Sequence, residues 1–188
     1  DFDSNQSIHG WETGFADFPS GPEDSTEFQL RAGYADPVDS KLTKRSLMLS
    51  GNNKNNDLFM YVKKKIDGLE PNRDYTLTFG VELASDLNAA LYTAGGALYL
   101  KVGASDIEPR SVIEAGHYVM NIDKGNQSMA GEDMMSLGDI HSESNGASYA
   151  LVSRNNTLSD SRYVARANSK GELWLIIGTD SSVGGVTT

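Results

Sequence analysis

Short runs in which apolar and polar residues alternate recur along this chain, and polar loop sequences separate them. Alternation with period two is typical of strands that bury one face. In the strongest run, one face carries Tyr75, Leu77, Phe79, Val81 and Leu83, and the other carries Thr76, Thr78, Gly80 and Glu82. The first set predicts a sheet core. The second set is either a solvated face or one wall of a binding site.

The same criteria predict strands along most of the chain, beginning with the segment "GWETGFADFP". The others are 27–32, 46–50, 58–66, 75–84, 97–104, 118–122, 134–140, 148–153 and 172–178. Clusters of Gly, Asn, Ser and Asp separate them, no long amphipathic helix is visible, and 86–96 is predicted as a short helical turn. We therefore predict an all-β fold, a two-sheet antiparallel β-sandwich.

Composition narrows the classes of partner. The 188 residues fit a single domain over 1–188, and there is no cysteine for disulfides or thiolate metal sites. Sixteen basic and 26 acidic residues give a formal charge of −10, which disfavours nucleic acid and anionic membranes. No apolar run reaches the roughly 18 residues of a transmembrane helix. Cations and neutral polar ligands such as sugars suit this chain better.

Catalytic motifs are absent from the sequence. It has no G-x-S-x-G elbow, no H-E-x-x-H and no phosphate-binding glycine loop, and His9, His117 and His141 lie far apart. We therefore expect a protein that is not an enzyme. A pair of carboxylates that hydrolyses glycosidic bonds remains an alternative, because acidic residues are plentiful.

The N-terminal residues suggest a metal. Asp1, Asp3, Asn5, Ser7 and Glu12 occupy the oxygen-ligand positions of an EF-hand loop. Gln6 stands where that loop needs glycine, and no helix is predicted on either side, so an EF-hand is not expected. The alternatives are a polar start to the first strand, or oxygens such as those of Glu12 and Asp17 that help to bind one structural Ca²⁺.

Aromatic residues in the polar phase of two strands suggest a sugar site. Trp174 shares its phase with Glu172 and Asp180, while Tyr99 shares its phase with Lys101. Flat apolar rings beside planar polar groups are what sugar sites need. The predicted ligand-binding residues are Trp174, Tyr99, Glu82, Lys101, Asn52, Asn53 and Asp57. Core packing of Trp174, and a solvated surface on which Glu82 merely pairs with Lys101, are the alternatives.

The stretch 50–85, with "GLEPNRDYTLTF" at 68–79, resembles the central part of galactose-binding-like jelly rolls found in bacterial carbohydrate-binding modules. "GGALYLKVGAS" and "GELWLIIGTDSS" are similar to later strands of exported bacterial proteins of this superfamily, including lipoproteins. The resemblance implies a jelly roll of about eight to ten strands, with a last strand expected beyond Thr188. It also implies a structural Ca²⁺ near the chain termini, held by Glu12, Asp17 and Asp180.

These observations favour a non-catalytic domain that binds a glycan or a cell-surface polysaccharide on a sheet face or a loop rim. The resemblance further implies export to the bacterial periplasm or cell surface, with a lipid anchor upstream of Asp1. The alternatives are a structural or adhesive surface module without a small ligand, and a glycoside hydrolase or polysaccharide lyase.

Overall fold

The structure is a computed structural model that describes residues 8–21, 24–36, 45–85, 97–141, 149–157 and 162–188. Its described part is all-β with several antiparallel sheets and a single helical turn, which confirms the predicted fold class. None of the described helices is long and apolar enough to cross a membrane. The predicted turn at 86–96 and the ligand positions Asp1, Asp3, Asn5 and Ser7 lie outside the described residues.

The elements follow one another as β1 (Glu12–Ala16), β2 (Phe18–Pro19), α1 (Asp24–Glu27), β3 (Arg31–Ala35), β4 (Ser46–Asn53), β5 (Phe59–Ile66), β6 (Asp74–Leu77), β7 (Gly80–Ser85), β8 (Leu98–Ser105), β9 (Ser111–Glu114), β10 (His117–Met120), β11 (Met134–Asp139), β12 (Ala150–Asn155), β13 (Tyr163–Arg166), β14 (Leu173–Ser181) and β15 (Gly185–Thr187).

A five-stranded antiparallel sheet, in the order β1-β5-β14-β8-β11, forms the centre of the fold. Its middle strand β14 is apolar on both faces, since Leu173 and Ile176 have opposite phase and are both buried. A strand buried on both sides reads as a nearly continuous apolar run, and "LWLII" has that pattern. The central sheet is therefore covered on both faces.

The first face packs against β6, β7, β12 and β13. Its core includes Phe79, Val102, Tyr163 and Leu173, and the rings of Phe79 and Tyr163 meet edge to face at 6.0 Å. Strand β6 pairs with β13, and β7 pairs with β12. Between the two ladders, the Asn156 side chain accepts from the Phe79 N–H at 2.7 Å and donates to the Leu77 carbonyl at 3.1 Å. Asn156 thus supplies the hydrogen bonds that the interrupted ladder lacks.

The second face packs against the sheet β2-β10-β9 and the segment that follows it. Ala16, Phe59, Met134 and Ile176 meet Ile122 in one buried cluster. The fourth of the small sheets is antiparallel and has the order β15-β4-β3. Jelly-roll topology and a galactose-binding-like relationship stay predictions.

Two predicted strands differ from the structure. The predicted strand over 75–84 is split between β6 and β7, because the Asn156 amide takes the place of a ladder partner at Phe79. The predicted strand over 27–32 is wrong in its start: α1 ends at Glu27 and β3 begins at Arg31. Phe28 turns into the core, and Gln29 has a left-handed φ of 48°, so an extended strand does not pass through these two residues.

We predict that Gly103→Ala destabilises the protein, because a Cβ at this position in β8 would lie 1.9 Å from the Asp133 carbonyl oxygen. Relieving that overlap requires the backbone next to β11 to move, at a cost of about 3 kcal/mol in the free energy of unfolding. Gly80→Ala is the matched control, since a Cβ there has open space, and we expect a change within about 0.5 kcal/mol. Urea unfolding measures both; equal stabilities would contradict the close packing at Gly103.

Candidate functional site

The second face of the central sheet carries most of the residues that the sequence singled out. Trp174 and Asp180 lie on this face of β14, six residues apart in sequence, which corresponds to about 20 Å along a strand. Across the sheet, Asp180 is opposite Tyr99, and Lys101 is opposite Gly178, so all these side chains share one face. The predicted phase is correct. However, these residues lie at two ends of that face: Trp174 is at one end, and Asp180, Tyr99 and Lys101 are at the other.

Lys101 is fully buried, and the prediction that it faces solvent or a bound ligand is therefore wrong. Its side chain is 0% exposed, and its ammonium group donates to the Met129 carbonyl oxygen at 2.9 Å. Met129 belongs to the segment 121–133, which covers this end of the sheet. The proposed pair with Glu82 is also wrong, because β7 pairs with β12, where Glu82 lies opposite Ser153.

Five charged residues meet where the segment 121–133 covers the sheet, and we call them the charge cluster: Asp17, Asp57, Lys101, Lys124 and Asp180. Lys124 Nζ lies 2.8 Å from Asp17 Oδ2 and 2.8 Å from Asp180 Oδ2. Lys101 Nζ is 3.7 Å from Asp180 Oδ2, and both of these side chains are 0% exposed. Buried charges of opposite sign need this proximity, since taking either into a nonpolar interior alone is very costly.

The segment 121–133 is shaped by its own hydrogen bonds. The Asp123 carboxylate accepts from the N–H groups of Gly125 and Glu132, each at 2.9 Å. Gly125 has φ of +69°, and a Cβ there would lie 2.2 Å from the Met129 carbonyl oxygen, so only glycine fits. The Gln127 N–H then reaches Asp180 Oδ2 at 3.0 Å. The backbone of this segment therefore holds Lys124 against the sheet.

Asp17 and Asp57 each lie close to a strand of the central sheet. Asp17 comes directly after β1, and Asp57 comes just before β5. Asp17 lies between β1 and β2 with a left-handed φ of 62°, and its N–H donates to the Tyr118 carbonyl at 2.6 Å. The Asn53 side-chain oxygen accepts from the Asp57 and Leu58 N–H groups at 3.1 and 3.3 Å. These contacts hold Asp17 and Asp57 at the charge cluster.

Asn52 and Asn53, which the sequence assigns to ligand binding, make hydrogen bonds within the fold. Asn53 is 2% exposed, and its amide donates to the Ser181 and Val183 carbonyl oxygens at 3.0 and 2.8 Å. The Asn52 amide donates to the Glu27 carbonyl oxygen at 3.3 Å. Both side chains thus tie β4 to neighbouring segments.

Burial sets the direction of the pKa shifts in the charge cluster. It raises the pKa of Asp17 against the opposing charge of Lys124, and it raises that of Asp57, with a further contribution from the negative charge of Asp17. Burial lowers the pKa of Lys101, although Asp180 opposes the shift. Burial also acts to lower the pKa of Lys124, but Asp180 and Asp17 outweigh it, and that pKa lies above its usual value.

Trp174 lies at the opposite end of the same face, beside the buried Lys63 and four charged residues that are partly or fully exposed. The Lys63 ammonium lies 5.2 Å from the centre of the partly exposed Trp174 ring. Glu12 Oε2 is 3.5 Å from that ammonium, and Glu108 forms a shorter ion pair with it. Lys65 Nζ, on the next position of this face, is 3.1 Å from Glu172 Oε1. We call these six residues the Trp174 surface.

The predicted site residues thus fall into three places. Trp174 and Glu12 belong to the Trp174 surface. Asp17, Asp57, Lys101 and Asp180 belong to the charge cluster; Tyr99 is opposite Asp180 in the ladder, and Asn53, which follows Asn52 on β4, accepts from the Asp57 N–H. Glu82 is exposed on β7 in the layer that covers the first face. Glu12 is therefore separated from Asp17 and Asp180, with which the resemblance grouped it.

Sequence reasoning missed Lys124, Lys63 and Glu108. Lys124 lies in a loop without periodicity, and its only signal is the "DKG" turn in which Asp123 and Gly125 make the hydrogen bond described above. Lys63 lies within "VKKKI", where its phase with Tyr61 would have placed it on the buried face.

No protein-family model and no curated protein matches this sequence. Among solved structures, the chain is similar to the enzymatically active domain of tailspike protein 4 from bacteriophage CBA120, with a TM-score of 0.40 and 11% sequence identity. The match covers 99% of this chain and 20% of the tailspike chain. A likeness this weak indicates no shared function.

We predict that Asp180→Asn lowers the free energy of unfolding by about 3–5 kcal/mol, because the near-isosteric change leaves Lys101 buried without its carboxylate. Arg166→Ala is the comparison variant. It breaks the pair with Asp74, in which both side chains are more than half exposed, and should cost less than about 1 kcal/mol. Urea unfolding measures both changes. If both substitutions lowered the free energy of unfolding by the same amount, the buried ion pairs of the charge cluster would be no more important for stability than an exposed pair.

Proposed function

We propose that this protein is a non-catalytic, exported domain that binds a carbohydrate, and that the Trp174 surface is its binding site. The observation that carries the proposal is a tryptophan that stays partly exposed on a sheet face, within a ring of ion-paired side chains. Export is proposed from the resemblance of 50–85 to bacterial modules.

The chemistry of the Trp174 surface suits a sugar. An indole ring packs against the C–H groups of a pyranose, while carboxylates and ammonium groups hydrogen-bond to its hydroxyls. The ammonium of Lys63 is held by two carboxylates, and Lys65 is held by Glu172, so the polar groups are already oriented. Oriented groups lose less side-chain entropy on binding than free ones do.

The location of Trp174 also favours binding over core packing. In register, Trp174 lies opposite Lys65 on β5 and Ser105 on β8, so its flanking residues on both neighbouring strands are polar. A tryptophan that served the core alone would be expected among apolar neighbours, as Phe59 is among Ala16, Tyr61 and Ile176.

The charge state of Glu108 disfavours this residue as the proton donor of a glycosidase. Glu12 and Glu108 both contact the ammonium of Lys63, so two carboxylates lie close together, as they also do in a retaining glycosidase. Such an enzyme needs one carboxyl group whose pKa is raised, so that it can donate a proton. The hydrogen bond from Lys63 instead lowers the pKa of Glu108, which keeps it ionised.

We predict that Trp174→Ala weakens carbohydrate binding at least about tenfold, because it removes the stacking surface and leaves the ion pairs in place. Titration calorimetry with soluble glucans, galactans and xylans, and with oligosaccharides cut from them, measures the affinity. Trp174→Phe keeps an aromatic ring and should retain part of the binding.

Trp11→Ala is the matched control, since Trp11 is the only other tryptophan and lies just before β1 in the opposite phase to Glu12. It should leave the affinity unchanged. Wild-type affinity in Trp174→Ala, with an unchanged melting temperature, would overturn the assignment of this surface. A wild-type protein that binds no glycan in the panel would overturn the proposed function and favour a structural or adhesive module.

A further inference from the structure

The charged groups of the Trp174 surface differ in how far solvent reaches them. The Lys63 side chain is only 9% exposed, and its ammonium group contacts Glu12 and Glu108, whose side chains are 59% and 45% exposed. Lys63 contacts one oxygen of each carboxylate, and the other two oxygens, Glu12 Oε1 and Glu108 Oε2, have no hydrogen-bond partner among the described residues. On this side of the indole ring, a ligand therefore meets hydrogen-bond acceptors and not the ammonium group.

The Trp174 surface also has one more carboxylate than ammonium groups. Glu172 is paired with Lys65, whereas Glu12 and Glu108 share the single ammonium group of Lys63. The excess negative charge therefore lies with Glu12 and Glu108, on the strand β5 side of the tryptophan ring.

Other exposed charges around this surface occur in pairs of opposite sign. Asp106 and Arg110 come shortly before and after Glu108, and both are exposed. Asp67 and Lys170, which lie near the other ion pair, are also exposed. These pairs leave the excess negative charge of the surface unchanged. The formal charge of the whole chain is −10, which attracts positively charged ligands as well.

The two carboxylates are held in place by separate parts of the fold. Glu12 lies opposite Lys63 in the β1–β5 ladder. Glu108 belongs to the segment between β8 and β9, where the Asn121 side chain donates to the Glu108 carbonyl oxygen at 3.0 Å and accepts from the Arg110 N–H at 2.7 Å. Both carboxylates are thus oriented before a ligand binds, which reduces the entropy lost on binding.

A protonated amine on a sugar ring fits this arrangement better than a hydroxyl group does. Its hydrogen bonds to carboxylates are charge-assisted and therefore stronger than those of a neutral donor. A cation is also attracted to an indole ring, as the Lys63 ammonium already is at 5.2 Å. A uronic acid or a sulfated sugar would instead place a negative charge against Glu12 and Glu108.

We propose that the Trp174 surface selects sugars that carry a free amino group, whose ammonium group is bound by the two carboxylate oxygens that Lys63 leaves free on Glu12 and Glu108. This inference rests on the proposed carbohydrate binding and adds to it the sign of the charge on the ligand. Acetylation of the amine removes that charge and should weaken binding.

The test compares oligosaccharides of glucosamine, N-acetylglucosamine and glucose that have the same linkage and length and differ only in the substituent on one ring carbon. At about pH 6, where an amine of this kind is protonated, titration calorimetry should show at least about fivefold tighter binding of the glucosamine oligosaccharide. Raising the salt concentration from about 0.05 to about 0.5 M should weaken the binding of this ligand and leave that of the other two unchanged.

Glu12→Gln and Glu108→Gln each remove one negative charge with little change of shape, and both are expected to fold because these side chains are about half exposed. Each should reduce the preference for glucosamine and leave the affinity for the glucose oligosaccharide unchanged. Glu114→Gln is the matched control, since it removes an exposed carboxylate on β9 that does not contact Lys63, and it should keep the full preference.

Each outcome has a separate meaning. Equal affinities for the glucosamine and glucose oligosaccharides would overturn the inference and leave carbohydrate binding intact. A preference that persists undiminished in both glutamine variants would overturn the role of Glu12 and Glu108. If the wild type binds none of these ligands and no glycan of the panel described above, the proposed function fails, and this inference fails with it.

Discussion

The ammonium group of Lys124 joins parts of the protein that are far apart in sequence, and much of the fold depends on it. Asp17 follows the first strand, Asp180 lies in the last strand of the central sheet, and Lys124 comes from the segment between β10 and β11. Because none of these charges can be buried alone, the three parts must arrive together. The backbone of 121–133 then completes the arrangement by hydrogen-bonding to Asp180 and Lys101.

This constraint gives the two ends of one sheet face different chemistry. At the Asp180 end, a covering segment excludes water, so carboxylates and ammonium groups shift one another's pKa. At the Trp174 end, the tryptophan ring stays partly exposed, and the two carboxylates that contact the buried Lys63, those of Glu12 and Glu108, are 59% and 45% exposed. The two ends of this face therefore differ in their access to solvent: the segment 121–133 covers Asp180, whereas the Trp174 ring stays partly exposed.

The sequence predicts the strands well where one face alternates cleanly, as over 58–66 and 97–104, and it also predicts that Trp174, Asp180, Tyr99 and Lys101 share a phase. The sequence does not show whether solvent reaches that face, because the segment 121–133 that covers it has no periodic pattern of its own. Lys101 shows the difficulty: a lysine in the polar phase normally indicates solvent, yet here Asp180 and Met129 hold it inside the fold. The break at Phe79 was equally hidden, since it depends on Asn156, far along the chain.

The position of β5 between β1 and β14 has a mechanical consequence. Both neighbours are antiparallel to β5 and hence parallel to each other, with five paired positions on one side and eight on the other. Tension applied to the start of β1 and the end of β14 would slide both strands along β5. Ladder hydrogen bonds lie across the strands, so sliding loads many of them at once and does not open them one by one. The central sheet is built to resist a pull along the chain.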